Sequence, residues 1–181
     1  MMSASYETNT AAEAHRFNRL PGVDGKPHSL AASAGRTATV VVFVSNGCPT
    51  ARAYEERLVA LQDKWGASGV ELIAINSNNP HLSPPDTFAE MVRRSSQRRI
   101  NFLYLKDKDG AVAERFGAIC TPHAFVLDRQ LRVAYSGRID DSRLGDRIST
   151  HDLDDAIADV VAGRPVSVDR TEPFGCSIVW S

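Results

Sequence analysis

The chain has no run approaching the ~20 apolar residues that a membrane-spanning helix requires. Met1 to Leu20, which carries Glu7, Glu13, His15 and Arg16, lacks the apolar core of a secretory signal. Both absences predict a cytoplasmic protein. Charge of one sign is also missing: 21 Lys and Arg against 22 Asp and Glu leave a formal net charge of −1. That balance argues against nucleic acid or an anionic membrane as the partner. Cysteine is scarce, with three in the chain, an odd count for a disulfide framework and one that suits a reducing compartment where a thiol does chemistry. No internal repeat or low-complexity tract is visible. What remains is an ordinary globular composition, 43% apolar over 181 residues, enough for one cored domain.

Small and polar residues over 1–14 predict a flexible N-terminus. Asp24-Gly25 signals a tight hairpin between two short strands. Thr39 to Val44 is a continuous β-branched and aromatic run, as expected of a central strand buried on both faces. Ser45-Asn46-Gly47 ends it, and Pro49 suits the first turn of a helix. Ala51, Tyr54, Leu58, Leu61 and Trp65 form that helix's apolar stripe, which Gly66 and Gly69 close. Val70 to Asn76 is a second strand. Ser83-Pro84-Pro85-Asp86 reads as a helix start, with Phe88, Met91 and Val92 as the buried side. Phe102 to Leu105 is a strand, and Val112 and Phe116 make a short helix face ended by Gly117. Ala124 to Leu127 and Leu131 to Tyr135 are joined by so short a link that they must pair antiparallel. Ser149 or Thr150 caps a last helix carrying Leu153, Ile157, Val160 and Val161. The order βαβ, an extra helix and strand, a short helix, ββ and α predicts a mixed α/β sheet sandwiched by helices. It carries an N-terminal β-hairpin and an inserted α/β segment. The expected division is 1–14 flexible, 15–165 the domain, and 166–181 a tail too apolar around Phe174, Ile178, Val179 and Trp180 to hang free.

Cys48 falls between a buried strand and the start of a helix. Free N–H groups and the helix dipole there favour a thiolate, the attacking species in disulfide exchange and in peroxide reduction. In α/β folds this end of the sheet is where sites form. A buried apolar cysteine is the alternative use of the residue. Cys120-Thr121-Pro122 precedes a strand, where a proline reads as a strand edge or a special turn.

Val42-Phe43-Val44-Ser45-Asn46-Gly47-Cys48-Pro49-Thr50-Ala51 is similar to a thioredoxin strand and its Cys-x-x-Cys loop. Cys48 matches the first cysteine, and Ala51 stands where the second would be. With Phe17 to Lys26, Cys120-Thr121-Pro122, Gly137-Arg138-Ile139-Asp140-Asp141 and Gly175-Cys176-Ser177-Ile178, the chain resembles the thioredoxin-like superfamily, in its redoxin and peroxiredoxin-like subgroup, over about residues 15 to 181. The resemblance implies a thioredoxin-like fold, a cis Thr121–Pro122 bond facing Cys48, and a catalytic set of Cys48, Thr121 and Pro122. A peroxiredoxin has a proline where Val41 stands and a threonine or serine where Ser45 stands. Only the second is matched, so a peroxidase role does not carry over directly. Ala51 rules out a Cys-x-x-Cys cycle.

The sequence thus predicts a thiol-dependent oxidoreductase using Cys48, with a thiol or disulfide protein or a small thiol reductant as partner, and no cofactor. Cys120 or Cys176 would resolve the mixed disulfide, unless an external thiol does. Cys120 is the expected choice because it sits beside Pro122 on the loop facing the Cys48 helix. The alternative is a non-catalytic binding module that captures copper or zinc, with His123 as a nearby ligand type, or a partner protein. No two cysteines have local ligand spacing, so no metal residues are assigned. Arg93, Arg94, Arg98 and Arg99 read as a solvated helix end, and Asp154-Asp155 as dipole partners of an early helical turn.

Overall fold

Two-sided burial of the central strands sets the architecture. The computed structural model describes residues 15–181, so the expected flexible segment 1–14 lies outside the described residues. Strand β1 (Leu20–Pro21) pairs antiparallel with β2 (Pro27–His28). Strand β3 (Ala38–Val44) is followed by helices α1 (Pro49–Ala53) and α2 (Glu55–Trp65), then by β4 (Val70–Asn76). Helix α3 (Phe88–Gln97), β5 (Leu103–Lys106) and α4 (Ala111–Phe116) come next. Then follow β6 (Cys120–Thr121), β7 (His123–Leu127), β8 (Val133–Gly137), α5 (Asp152–Val161) and β9 (Cys176–Ser177). The main sheet has the order β5-β4-β3-β7-β8, parallel among the first three strands and antiparallel beyond. This is the mixed sheet that the sequence predicts.

Alternate residues of β3 enter opposite cores. Val41 and Phe43 join Ile73, Ile75, Phe125 and the α4 residues Val112 and Phe116 on one face. Val40 and Val42 join Leu72, Val126, Tyr54 and Leu58, and the α5 residues Leu153 and Ile157, on the other. A strand without polar alternation is therefore what a sheet covered on both sides demands.

Several local expectations are corrected. The helix from Pro49 is interrupted at Tyr54, whose N–H bonds the Ala51 carbonyl in a tightened turn (φ −95°, ψ −8°). Pro84–Asp86 is a separate 3₁₀ turn, and α3 begins at Phe88 with the Thr87 hydroxyl capping Glu90 N–H. The reason is Asp86, which turns fully inward instead of serving a helix start. Met91 is buried, but Phe88 and Val92 stay 38% and 40% exposed. The edge strand begins at Leu103 rather than Phe102 and ends in the buried Lys106. Leu131 is not in β8 but in the turn before it, in a left-handed conformation (φ +60°) that still buries its side chain. His151, not Ser149 or Thr150, occupies the N-cap of α5, and Thr150 instead donates to the Asp152 carboxylate. Arg94 and Arg98 are not simply solvated: both bind Glu55 at the start of α2 and tie α3 to it. Asp154 receives Lys64 and the Trp65 indole N–H, a tie between α5 and α2.

Candidate active site

Three parallel strands end in register, Val44 beside Asn76 beside Lys106, and the polar turns after them crowd one end of the sheet. Ser45 and Asn46 follow β3, Ser77 and Asn78 follow β4, and Asp107 follows β5; all are buried. Their hub is Asp86. Its carboxylate accepts from the Ser45, Asn76, Asn78 and Ser83 side chains and from Asn46 N–H, at 2.6–2.9 Å. Burial alone would raise its pKa, but these donors outweigh it and hold the carboxyl below its ordinary value. Lys106 Nζ sits in the same network, donating to the carbonyls of Asn78 (2.7 Å) and Asp86 (2.9 Å) and to Asn76 Oδ1 (3.2 Å). Burial depresses its pKa, and Asp86 and Asp107 oppose that. The network fixes the approach to Cys48, because Ser45 Oγ also accepts Gly47 N–H.

Cys48 is the N-cap of α1, and its sulfur accepts Ala51 N–H at 3.3 Å. As a thiol it can instead donate to the Thr121 carbonyl, 3.1 Å away. The Thr121–Pro122 bond is cis. Only 2% of Cys48 is exposed. Its burial pushes the pKa up, but hydrogen bonds from the Cys176 side chain and the Ala51 N–H prevail and hold the thiol below its ordinary value.

The sulfur beside Cys48 belongs to Cys176, at 2.7 Å, and both are free thiols. Cys120, the expected resolving partner, is not the sulfur that lies against Cys48. Cys120 Sγ turns toward the Pro122 carbonyl, 3.9 Å away, and burial pushes its pKa up to about 11. Cys176 reaches Cys48 because β9 pairs antiparallel with β6, Thr121 opposite Cys176 and Cys120 opposite Ser177. Gly175 permits this approach. Its φ is +153°, and a Cβ there would stand 1.9 Å from the Thr121 carbonyl oxygen. Past β9, Ile178 enters the core, Val179 exchanges hydrogen bonds with Asn78 and Asn79, and Trp180 lies over Gly110. Cys176 has a raised pKa, from burial first and then from its bond to Cys48 and that neighbour's charge. Within the pair, Cys48 gives up its proton more readily than Cys176.

Below the helix junction, Asp140 accepts from Tyr54 OH (3.0 Å) and Arg57 (2.6 Å), with the Arg57 guanidinium over the Tyr54 ring. His123 faces inward: it stacks on Phe125, its Nδ1 accepts Ile119 N–H and its Nε2 meets Ser136 Oγ at 3.1 Å. Burial drops its pKa to about 4, helped by Arg170, so the ring is neutral near pH 7. Among the described residues no group of three or more His, Cys, Asp or Glu is arranged to hold a metal ion. Nor is any helix among them long and apolar enough to cross a membrane. Sequence reasoning passed over Asp86, Asn76, Asn78 and Lys106. Their signal was the amide- and hydroxyl-rich stretches Ser45-Asn46 and Asn76-Ser77-Asn78 closing the apolar runs Val40 to Val44 and Leu72 to Ile75.

A mixed sheet with a cysteine capping the helix after its central strand, opposite a cis proline, defines a thioredoxin-like redoxin of the peroxiredoxin-like subgroup. The chain belongs to the AhpC/TSA family, which matches residues 11–136. It is 33% identical to a hypothetical protein from Sinorhizobium meliloti 1021, with a TM-score of 0.85 over 92% of this chain and 91% of that one. An uncharacterized conserved protein from Geobacillus kaustophilus is also 33% identical, with a TM-score of 0.86 over 92% and 89% of the two chains. The fold is shared with a thioredoxin-family thiol:disulfide interchange protein from Chlorobium tepidum TLS. That protein is 22% identical, with a TM-score of 0.62 over 81% of this chain and 93% of that one. Comparison with the curated proteins found no match.

Proposed function

We propose that the protein is a two-cysteine thiol–disulfide oxidoreductase in which Cys48 attacks and Cys176 resolves. The observation that carries this reading is the juxtaposition, at 2.7 Å, of a sulfur of lowered pKa at a helix start and a second sulfur of raised pKa. The Cys48 thiolate attacks one sulfur of a substrate disulfide, forms a mixed disulfide and expels the other sulfur as a thiolate. The Cys176 thiol then loses its proton to that leaving thiolate or to solvent and attacks the Cys48 sulfur. The Cys48–Cys176 disulfide forms and the second substrate sulfur leaves as a thiolate. The substrate is reduced by two electrons, and an external dithiol or two small thiols return the pair to the reduced form. Cys48 is nearly inaccessible while β9 is paired, so the incoming disulfide enters as β9 leaves β6. Thr121 and Pro122 wall the groove, residues 15–165 form the redox domain, and residues 166–181 form the tail that delivers Cys176. A reducing, cytoplasmic setting fits the cycle.

The test is oxidation with glutathione disulfide followed by non-reducing peptide mapping of wild type and the three Cys→Ser variants. The expected product is an intramolecular Cys48–Cys176 link that survives Cys120→Ser, with a glutathione adduct on Cys48 in Cys176→Ser. A Cys48–Cys120 link, or a Cys48 that stays inert, would sink the reading, and inertness would favour a binding role. Turnover with hydrogen peroxide but not with disulfides would move the substrate to the peroxide class.

A further inference from the structure

We infer that Asn78 is a positioning residue that sets how closely Cys176 is held to Cys48, a step that rests on the two-cysteine reading above. Asn78 lies in the turn after β4 and is buried. Its amide nitrogen donates to Asp86 (2.9 Å) and to Ser45 Oγ (3.0 Å). The Asp86 carboxylate is ionised and can only accept, so the nitrogen of the Asn78 amide must face it. The oxygen is thereby forced to the opposite side, where it accepts the backbone N–H of Val179 at 2.8 Å. The next residue completes the grip, since Asn79 N–H donates to the Val179 carbonyl at 2.8 Å.

One side chain therefore joins two segments far apart in sequence. Through Ser45 and Asp86 it touches the loop that leads into Cys48, and through Val179 it holds the strand that carries Cys176 three residues earlier. Neither sulfur touches Asn78, so its role is to register the two cysteines and not to react. The Asp86 charge polarises the amide, which makes the oxygen a better acceptor for the tail. The loop and the tail thus share one amide, beside the β6–β9 pairing and the buried Ile178 that also hold the tail.

The experiment measures the effective molarity of the Cys48–Cys176 disulfide at equilibrium with reduced and oxidised glutathione. The variants are Asn78→Ala, Val179→Pro and the double variant. Val179→Pro removes the N–H partner of Asn78 while leaving the carbonyl that Asn79 uses. Each single variant should lower the effective molarity about 2- to 10-fold, the range for one lost hydrogen bond. The double variant should fall no further than the lower single. Effects that multiply, or an Asn78→Ala value equal to wild type, would overturn the inference. Hydrogen exchange of tail amides in a Cys176→Ser background needs no disulfide: faster exchange in Asn78→Ala supports the inference, and an unchanged rate refutes it. A wild type that forms no Cys48–Cys176 disulfide would instead refute the two-cysteine reading, with the exchange arm still deciding the role of Asn78.

Discussion

Replacing Gly175 by alanine tests the tail where it meets the groove. The added Cβ would lie 1.9 Å from the Thr121 carbonyl oxygen and 2.7 Å from its carbon, whereas ordinary contact begins at 3.4 Å. Both obstructing atoms are backbone, held beside the cis bond, so the tail must retreat by roughly 1.5 Å to restore ordinary packing. The φ of +153° adds conformational strain for any residue with a side chain. A retreat on that scale breaks the β6–β9 pairing, at about 1 kcal/mol per backbone hydrogen bond lost. It also loosens Ile178, whose full burial is worth about 1.5–3 kcal/mol. Taking about 2–4 kcal/mol in all, the effective molarity of Cys176 toward Cys48 should drop roughly 30- to 900-fold. Its floor is the ~mM value of a flexible tether. The assay is the glutathione equilibrium, read by mass spectrometry of alkylated peptides. A Gly175→Ala protein with wild-type effective molarity and wild-type protection of its tail amides would refute the reasoning.

Cys176→Ala removes a donor to the Cys48 thiolate, so the midpoint of Cys48 alkylation against pH should rise relative to wild type; an unchanged or lower midpoint would contradict this. Asp86→Asn replaces one acceptor oxygen with an NH2 that faces buried donors, and it removes the larger of the two carboxylate charges that support Lys106. It should destabilise the fold by about 3–5 kcal/mol in urea titration. The same carboxylate has a folded pKa below its unfolded value. Its contribution is therefore present above the unfolded pKa of about 3.9 and should be lost as pH falls through the folded pKa, measurable by acid titration of wild type. His123, at about 4 in the folded protein, binds its proton more readily when unfolded. It should lower stability as pH falls from about 6.5 to about 4, and an NMR titration of its ring should show a midpoint near the lower figure.

The layered sheet was legible because its determinants are local and repeated. Val40 to Val44 and Leu72 to Ile75 are apolar at every position, and only burial on two faces explains that. Cys48 was legible from its place between such a strand and Pro49. The sulfur that meets it was not. Cys120 is close to the groove in sequence and in space, but its side chain points to the Pro122 carbonyl. Cys176 arrives through a strand only two residues long, too short for any periodicity to announce. The Asp86 network was hidden for a related reason. An acid after two prolines has the composition of a helix start, and nothing local says that it turns inward to five donors drawn from three separate turns. Phe88 and Val92 misled in the opposite sense, as apolar residues on a helix that buries little beyond Met91.

Cys48 and Cys176 are 128 residues apart in sequence. A disulfide between them ties most of the chain into one covalent ring, and chain-entropy arguments value such a ring at about 5 kcal/mol against the unfolded ensemble. On the two-cysteine reading, the pair would couple electron transfer to thermal endurance: each reduction would open the ring and lower the melting temperature, and each oxidation would close it and raise that temperature. The ambient thiol poise would then act as a dial on how long a molecule lasts, independent of any substrate it meets.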